Sequence, residues 1–340
     1  MHPDRPADGA RRQFLARSLA ASLGLGLGGA PWPSFAASPA AGLGGVTLRA
    51  ASYKGQTSYF FDDAGVADTP YKVEYAEFAG GNLIVEAIAG GSIDYGGMSE
   101  IPPIFAVNAN TPLRIIGVLR ADVNNQVALV PRDSPITDPA QLKGKRVGYV
   151  RSTTSHYFLL RLLRDHGLGW RDIQPVALSP QDGLVAFQTG RLDAWVVYGL
   201  VVQVAQAQGA RVLRTALGYL SGNYLVTAHA RAIADAGKRA AIADYLLRER
   251  AALDWINAHP QAWARKIARL TGAAEALFLE QFSQRSEPAS LLPVSEAAIR
   301  SQQQVADTFL EHGVLNRRLD VAPLWDRSFD AVLARSGSPA

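Results

Sequence analysis

The sequence predicts an α/β protein with two lobes, each a mostly parallel sheet flanked by helices. The chain has 340 residues, and at about 150 residues per domain this length suggests two structural units. Short strands alternate with helices over residues 46–215, a pattern typical of parallel sheets covered by helices. One short pattern occurs twice, from Gly91 to Asp94 and from Gly190 to Asp193, each time between a helix and a strand. Two lobes of similar construction would explain this repeat.

Apolar periodicity and turn residues place the individual elements. In the first series we expect strands at residues 46–52, 73–78 and 93–97, and before the last strand a helix capped by Asn82 and ended by Gly90. The second series is predicted to contain strands 146–150, 173–178, 194–197 and 211–215, and helices 155–166, 180–189 and 203–208. Beyond residue 230 the pattern is helical, with helices expected at 238–258, 260–270, 273–284, 294–312 and 323–334.

The two aspartates of the repeat, Asp94 and Asp193, each follow a glycine and an aliphatic residue. Glycine can end a helix in the left-handed conformation, and a following aspartate can accept hydrogen bonds from the amides of the turn. We therefore expect structural roles for both carboxylates, not catalytic ones.

Composition excludes several classes of protein. Hydrophobic residues make up 48% of the chain and charged residues 19%, so neither a disordered nor a fibrous protein is indicated. The absence of cysteine excludes disulfides, thiolate metal sites and a cysteine nucleophile. The formal net charge of +4 is too small and too dispersed to predict a nucleic-acid partner.

The first 36 residues have the layout of an export signal. Arg11 and Arg12 precede Phe14 and an uncharged, glycine-rich run, and residues 34–36 place small side chains before a possible cleavage point. Paired arginines in this position are typical of the bacterial twin-arginine signal. A membrane anchor is the alternative, but glycines and two prolines oppose a helix of about 20 residues. We expect residues 1–36 to be a cleaved twin-arginine-like signal peptide and the mature protein to be periplasmic.

A run of hydroxyl residues is the first candidate binding segment. Ser152, Thr153, Thr154 and Ser155 lie between a buried strand and a helix that continues through His156. In a parallel sheet this junction lies at the carboxyl edge, where ligands bind, and a helix start offers unpaired amides. The run could hold sulfonate, sulfate, nitrate or carboxylate. A plain helix cap with surplus surface hydroxyls explains it equally well.

The corresponding junction in the other lobe contains Ser99 and Glu100. These residues either cap the helix that begins at Pro102 or face the hydroxyl run across a cleft. In the second case Glu100 would repel a bare anion and attract an ammonium group on the same ligand. Aromatic residues near strand ends could form one wall of a pocket, although each also suits a core: Trp195, Tyr198, Tyr219 and Tyr224.

No sequence pattern supports a metal site or a hydrolase. The six histidines form no HExxH or HxH arrangement, and no G-x-S-x-G elbow is present. We expect neither a metal nor a cofactor.

Six stretches carry a resemblance to a known family: Phe78–Gly97, Glu100–Ala106, Pro135–Ile136, Leu142–Val147, Ser152–Leu160 and Gly190–Trp195. In this order they resemble the periplasmic substrate-binding proteins of ABC importers for nitrate, taurine and sulfonates, closest to the aliphatic-sulfonate-binding branch. The resemblance covers about residues 46–335. No single stretch is diagnostic; the ordered set identifies the superfamily better than the ligand.

The resemblance implies the type II fold of periplasmic binding proteins, in which two lobes joined by two hinge crossovers close over a ligand. Lobe 1 would comprise residues 45–128 and 224–335, and lobe 2 residues 129–223. The crossovers would fall near residues 127–131 and 223–227. A small organic anion and the permease of an ABC importer are the implied partners, and we expect a monomer that serves transport and sulfur metabolism.

The predicted ligand-binding residues combine the hydroxyl run, its opposite junction, the early loop and the strand ends: Lys54, Gln56, Ser58, Ser99, Glu100, Ser152, Thr153, Thr154, Ser155, His156, Tyr198, Asn223 and Tyr224. Two departures from the family affect the pocket. Gly199 replaces an acidic residue that relatives carry, and Gly81-Asn82 replaces Gly-Pro. A glycine at residue 199 could admit a bulkier or more apolar tail.

Two other functions share this fold. Desulfinase-type enzymes cleave carbon–sulfur bonds with a cysteine in the early loop, but residues 53–58 contain none. A ligand-sensing partner of a membrane receptor would use the same cleft and would differ only in its docking partner. Nitrate, taurine and other small metabolites remain alternative ligands.

Overall fold

The structure is a computed structural model that describes residues 42–108 and 111–334. The predicted signal peptide, residues 1–36, lies outside the described residues. The strands are β1 (Thr47–Ser52), β2 (Lys72–Glu77), β3 (Tyr95–Ser99), β4 (Leu113–Arg120), β5 (Gln126–Val130), β6 (Arg146–Tyr149), β7 (Gln174–Ala177), β8 (Ala194–Tyr198), β9 (Arg211–Thr215), β10 (Asn223–His229) and β11 (Ser290–Leu292).

The α-helices are α1 (Gly81–Ala89), α2 (Pro102–Asn108), α3 (Thr154–Asp165), α4 (Pro180–Gln188), α5 (Val201–Ala207), α6 (Ala230–Ala234), α7 (Ala236–Ala258), α8 (Pro260–Thr271), α9 (Glu275–Ser283), α10 (Glu296–Glu311) and α11 (Asp330–Ala334). Within the described ranges, no helix combines the length and the apolar character that crossing a membrane requires.

Two sheets confirm the predicted two-lobe α/β fold. The first sheet has the order β11-β4-β10-β3-β1-β2 and the second the order β7-β6-β8-β5-β9. Both sheets are mixed instead of mostly parallel. In the first sheet β1 is parallel to β2 and β3, whereas β10 is antiparallel to β3 and β4. In the second, β6 is parallel to β7 and β8, whereas β5 is antiparallel to β8 and β9. The antiparallel strands β5 and β10 are those that the chain forms on arriving from the other sheet.

The two connections between the sheets lie slightly before the expected crossovers. The chain leaves the first sheet after β4, at residues 121–125, and returns before β10, at residues 216–222. The segments predicted as crossovers, near 127–131 and 223–227, are largely strand. The lobe ranges 45–128, 129–223 and 224–335 stay a prediction, although β5 belongs wholly to the second sheet.

The first sheet separates two layers of core side chains. Val226 of β10 packs on one face with Leu246 of α7, and its neighbour Leu225 packs on the other face with Ile84 of α1. This alternation follows from the two-residue period of a strand. Side chains on the α7 face of β3 and β10 therefore lie between the sheet and α7.

The repeated aspartates have structural roles, but with partners other than those expected. Asp94 accepts hydrogen bonds from the amide, Nε and Nη2 of Arg49 at the start of β1, at 3.1, 2.9 and 2.7 Å. Asp193 accepts the same three bonds from Arg146 on β6, at 2.8, 3.1 and 2.7 Å. Asp94 thus links β1 to the start of β3, and Asp193 links β6 to the start of β8. Neither carboxylate bonds to the turn amides among the described residues.

Two predicted helix features are wrong. The N-cap of α1 is Gly80 in extended conformation, not Asn82, so the helix begins two residues earlier than predicted. The helix expected at 323–334 is interrupted after a 3-10 turn at Ala322–Leu324, and α11 contains only five residues. The interruption arises because Trp325 bridges to Ile115 of β4 and the Asp326 amide donates to the Ile115 carbonyl at 2.8 Å.

Candidate ligand-binding site

A cavity of about 730 Å³ lies between the carboxyl edges of the two sheets. Tyr53 and Ser99 reach it from the first sheet, and Thr153 and Tyr198 reach it from the second. This edge is where open α/β sheets bind ligands, because loops from several strands converge there.

The starts of five helices line this cavity. Gly81, Pro102, Thr154, Pro180 and Val201 are the first residues of α1 to α5, and each contributes to the lining. A helix start presents amides without intrahelical partners and the positive end of the helix dipole. Their convergence from both lobes favours a negatively charged ligand.

The turn before α3 shapes the hydroxyl run. Ser152 has a φ of 58°, a left-handed conformation that few residues other than glycine adopt. The Thr153 hydroxyl donates to the Val150 carbonyl at 2.7 Å, so its oxygen is left to accept a further bond. Thr154 is buried and its hydroxyl has no recorded partner among the described residues. Thr154 therefore offers a hydroxyl to the cavity.

Two phenols meet where the lobes face each other. Burial raises the pKa of Tyr198 to about 12, against an opposing effect of its hydrogen bond with Thr153. Burial also raises the pKa of Tyr53, with a smaller contribution from Tyr198. Both side chains therefore stay protonated at neutral pH, and Tyr53 can donate to a bound anion.

One lysine and two glutamates line the cavity besides the phenols. Lys54 is exposed and has no ion pair among the described residues. Glu77 is exposed and accepts a hydrogen bond from the Tyr59 hydroxyl at 2.5 Å. Glu249 of α7 is buried, and this desolvation raises its pKa to about 7. Helix starts and hydroxyls, more than cations, thus supply the positive potential of the site.

Seven of the thirteen predicted ligand-binding residues line the cavity: Lys54, Gln56, Ser99, Thr153, Thr154, Tyr198 and Tyr224. The other six do not line it: Ser58, Glu100, Ser152, Ser155, His156 and Asn223. Ser58 lies in the 3-10 turn at Thr57–Phe60. Side-chain hydrogen bonds and ring packing explain why Ser155, His156, Glu100 and Asn223 do not line the cavity.

Ser155 and His156 point away from the cavity. The Ser155 hydroxyl accepts from the Val150 amide at 3.0 Å and donates to the Val196 carbonyl at 2.6 Å, which joins β6, α3 and β8. His156 packs against the rings of Tyr149, Trp170 and Phe309. Burial lowers its pKa to about 4, so the imidazole is neutral at pH 7 and cannot pair with an anion as a cation.

Glu100 and Asn223 are held behind the cleft. Glu100 accepts hydrogen bonds from the hydroxyls of Ser221 and Ser301 at 2.7 and 2.9 Å, and burial raises its pKa. Asn223 accepts from Nη1 of Arg120 at 3.1 Å. Glu100 follows β3 and Asn223 begins β10, and these hydrogen bonds hold both side chains away from the cavity wall.

Several lining residues were not predicted from the sequence. Gln181 follows the first residue of α4, and Leu200 directly precedes α5. Both lie where a helix begins after a strand, and the predicted order of strands and helices already indicated these positions. Asn125, in the connection between the sheets, and Gln126, the first residue of β5, also line the cavity, and their positions depend on the crossover geometry. Glu249 comes from the middle of α7, where no local pattern marks it.

No cluster of three or more potential metal-ligating side chains occurs among the described residues. The arrangement of hydroxyls, phenols and helix starts is suited to hold a small anion by hydrogen bonds. Two α/β lobes with such a cavity between them define the class of two-lobe solute-binding proteins.

The comparisons identify the family. Residues 49–234 match the family described as NMT1/THI5 like, and the chain belongs to this family. A relative from Escherichia coli (strain K12), named as an aliphatic sulfonates-binding protein, is 34% identical over 253 residues, which are 74% of this chain and 78% of the relative.

Solved structures agree in fold. The alkanesulfonate-binding protein SsuA from Xanthomonas axonopodis pv. citri, bound to MOPS, has 29% sequence identity and a TM-score of 0.75, covering 83% of this chain and 98% of that chain. The desulfurization enzyme DSZB has 17% identity and a TM-score of 0.60, covering 85% and 99%. The second likeness concerns the fold alone.

Proposed function

We propose that the chain is the solute-binding protein of an ABC importer and captures an aliphatic sulfonate in the cavity between its lobes. The observation that carries this proposal is the turn at Thr153 and Thr154, which opens α3 toward the cavity. The names of the similar binding proteins support the same ligand class.

The anionic head is expected at the start of α3. The Thr154 hydroxyl has no other recorded partner, and the phenols of Tyr53 and Tyr198 lie in the same cavity. A sulfonate carries three acceptor oxygens and no proton at neutral pH, so it can accept from several neutral donors at once. Such charge-assisted hydrogen bonds are stronger than neutral ones.

The region around Gly199 provides room for a bulky tail. Gly199 has a φ of 77° and lines the cavity, and no atom lies within 4 Å of the position that a Cβ would take. Leu200, Val201 and Val204 extend an apolar wall beside it. We infer that this side of the cavity accepts tails wider than a linear alkyl chain.

We further propose export and docking. Residues 1–36 would direct the chain to the periplasm through a twin-arginine-type signal, and the ligand-closed form would dock as a monomer on an importer permease. Periplasmic localisation is supported by a further relative from Escherichia coli (strain K12), named as a taurine-binding periplasmic protein, which is 28% identical over 148 residues.

Binding without turnover is the proposed mode of action. The chain has no cysteine, whereas the rival carbon–sulfur cleavage needs a nucleophile in the early loop at residues 53–58. Release of sulfite from an aryl sulfinate by the purified protein would refute this part of the proposal.

Thermal unfolding against a ligand panel tests the ligand class. The panel contains alkyl and aryl sulfonates, taurine, sulfate, nitrate and carboxylates. A ligand at about 100 times its Kd stabilises the native state by roughly 2.7 kcal/mol, which raises Tm by about 4 °C for a chain of this size. The proposal predicts a shift with sulfonates. No shift with any sulfonate, or a larger shift with nitrate or carboxylates, would refute it.

A further inference from the structure

The cavity extends between the first sheet and α7. We call this extension, which is lined by Gly97, Ser99 and Glu249, the inner arm. Tyr95, Gly97 and Ser99 alternate along β3 and share the α7 face of the sheet. Ser99 and Gly97 line the cavity. No atom lies within 4 Å of the position that a Cβ on Gly97 would take, whereas the same position on Gly96, on the opposite face, lies 3.0 Å from both Ala51 and Ile84. The absence of a side chain at Gly97 therefore leaves space in the arm, whereas the absence of a side chain at Gly96 allows Ala51 and Ile84 to pack closely.

A buried carboxyl group lies on the α7 side of this arm. Glu249 contributes to the cavity lining together with Val226, Leu253 and Leu291, and only 7% of the residue is exposed. Its Oε2 accepts a hydrogen bond from the Tyr95 hydroxyl at 2.5 Å. Its Oε1 has no recorded partner among the described residues. One carboxyl oxygen is thus left available beside apolar side chains.

Among the described residues, no cation pairs with this carboxyl group. The ionisable groups that face it are the phenols of Tyr95 on β3, Tyr75 on β2 and Tyr245 on α7. On α7 itself, the neighbouring Arg248 pairs with Asp244. Burial raises the pKa of Glu249 to about 7, and the hydrogen bond from Tyr95 opposes this rise. A buried carboxylate without a counter-ion is costly, so a cation in the arm would stabilise it.

We propose that the inner arm binds a basic nitrogen on the tail of the ligand, with the Glu249 carboxylate as its counter-ion. This inference rests on the proposed function, because the sulfonate head at α3 defines the other end of the ligand. The arm runs from Ser99 past Gly97, two residues or about 7 Å along the extended strand, to the Glu249 carboxyl group. The ligand class is therefore an aminosulfonate with a chain longer than two carbons, since a two-carbon chain is too short to reach from the cleft past Gly97.

Calorimetry with two probes of equal length tests this assignment. The probes are 6-aminohexane-1-sulfonate and hexane-1-sulfonate. At pH 8 the amino probe is expected to bind about tenfold more tightly, since a charge-assisted hydrogen bond forms only with its ammonium group. The ratio of the two Kd values should be smaller at pH 6, because Glu249 becomes protonated as the pH falls through its pKa.

Variants separate the charge from the space. In Glu249→Gln the amide keeps the shape and can still accept from Tyr95, so only the charge is lost, and the two probes should bind with similar Kd. In Gly97→Val the new side chain occupies the arm and should weaken the amino probe more than methanesulfonate. Glu86→Gln removes an exposed carboxylate on α1 and serves as the matched control. This variant should bind the amino probe more tightly than hexane-1-sulfonate by the same factor as the wild-type protein.

The outcomes distinguish the two proposals. Equal binding of both six-carbon probes by the wild-type protein, or an undiminished preference in Glu249→Gln, would overturn the inference and leave sulfonate capture intact. Failure of both six-carbon probes and methanesulfonate to bind would refute the proposed function, and this inference with it.

Discussion

Replacing Asp94 with asparagine removes the negative charge shared by two cations of the first lobe. The Asp94 side chain is 4% exposed and pairs with Arg49, 36% exposed, and Lys238, 28% exposed. Lys238 lies 2.8 Å from both carboxyl oxygens. The asparagine would leave both cations with one neutral oxygen and would turn an amide group toward them.

The expected loss of stability follows from burial. Breaking a buried ion pair costs about 3–5 kcal/mol, and an exposed one well under about 1 kcal/mol. The carboxylate is buried but its cations are partly in water, so we expect Asp94→Asn to cost about 2–3 kcal/mol. Asp193→Asn makes the same change in the repeated pair of the second lobe, where side-chain exposure is 31% for Asp193 and 43% for Arg146. This matched variant should lose distinctly less stability, because solvent screens the pair.

Urea unfolding followed by circular dichroism measures the difference between the two variants. The pKa of Asp94 is lowered because its hydrogen bonds from Arg49 and Lys238 outweigh the opposing effect of burial. Its stabilising contribution is therefore present above the unfolded pKa of about 3.9 and is lost as the pH falls through the lower folded value. The gap between wild type and Asp94→Asn should narrow only in this acidic range. An equal or larger loss in Asp193→Asn would refute the reasoning.

Three further substitutions test other features. Gly199→Asn places a side chain in the open space of the cavity and should weaken naphthalene-2-sulfonate more than methanesulfonate in calorimetry; equal losses would contradict a bulky-tail region. His156→Phe should leave the Kd for hexane-1-sulfonate unchanged, since this ring packs among aromatic side chains outside the cavity; a large loss would return His156 to the site. Gly183→Ala puts a Cβ within 2.6 Å of the Trp195 indole nitrogen and should lower urea stability by about 1–3 kcal/mol; wild-type stability would show that the indole can move.

Local sequence patterns predicted the parallel half of each sheet well. Strands β1, β2, β6 and β7 and helix α3 agree with the structure within about two residues, because alternation and helix periodicity are local signals. The repeated glycine and aspartate also predicted two lobes of similar construction. The arginine partners of the aspartates were not predicted, since each pair joins residues 45 or 47 positions apart in the chain.

The antiparallel strands and half of the site required the tertiary structure. β10 pairs with β3 and β4, whose residues lie about a hundred positions earlier, and a buried hydrophobic run does not indicate its partner. The hydroxyl run identified the correct turn, but consecutive helix residues point in different directions. Thr154 therefore faces the cavity, while Ser155 bonds to β8. Glu249 is exposed to the cavity only through the packing of α7 on the first sheet.

Titration calorimetry of Thr154→Val with hexane-1-sulfonate tests the central claim most directly. Valine keeps the size of threonine and removes only the free hydroxyl, so the loss of one hydrogen bond to a charged group should raise Kd about 10-fold to 100-fold. Thr189→Val is the control, because its exposed hydroxyl donates to the Val185 carbonyl on α4. The account predicts sulfonate binding that is weakened in Thr154→Val and retained in Thr189→Val. Equal affinity of both variants and wild type, or no binding by the wild-type protein, would contradict it.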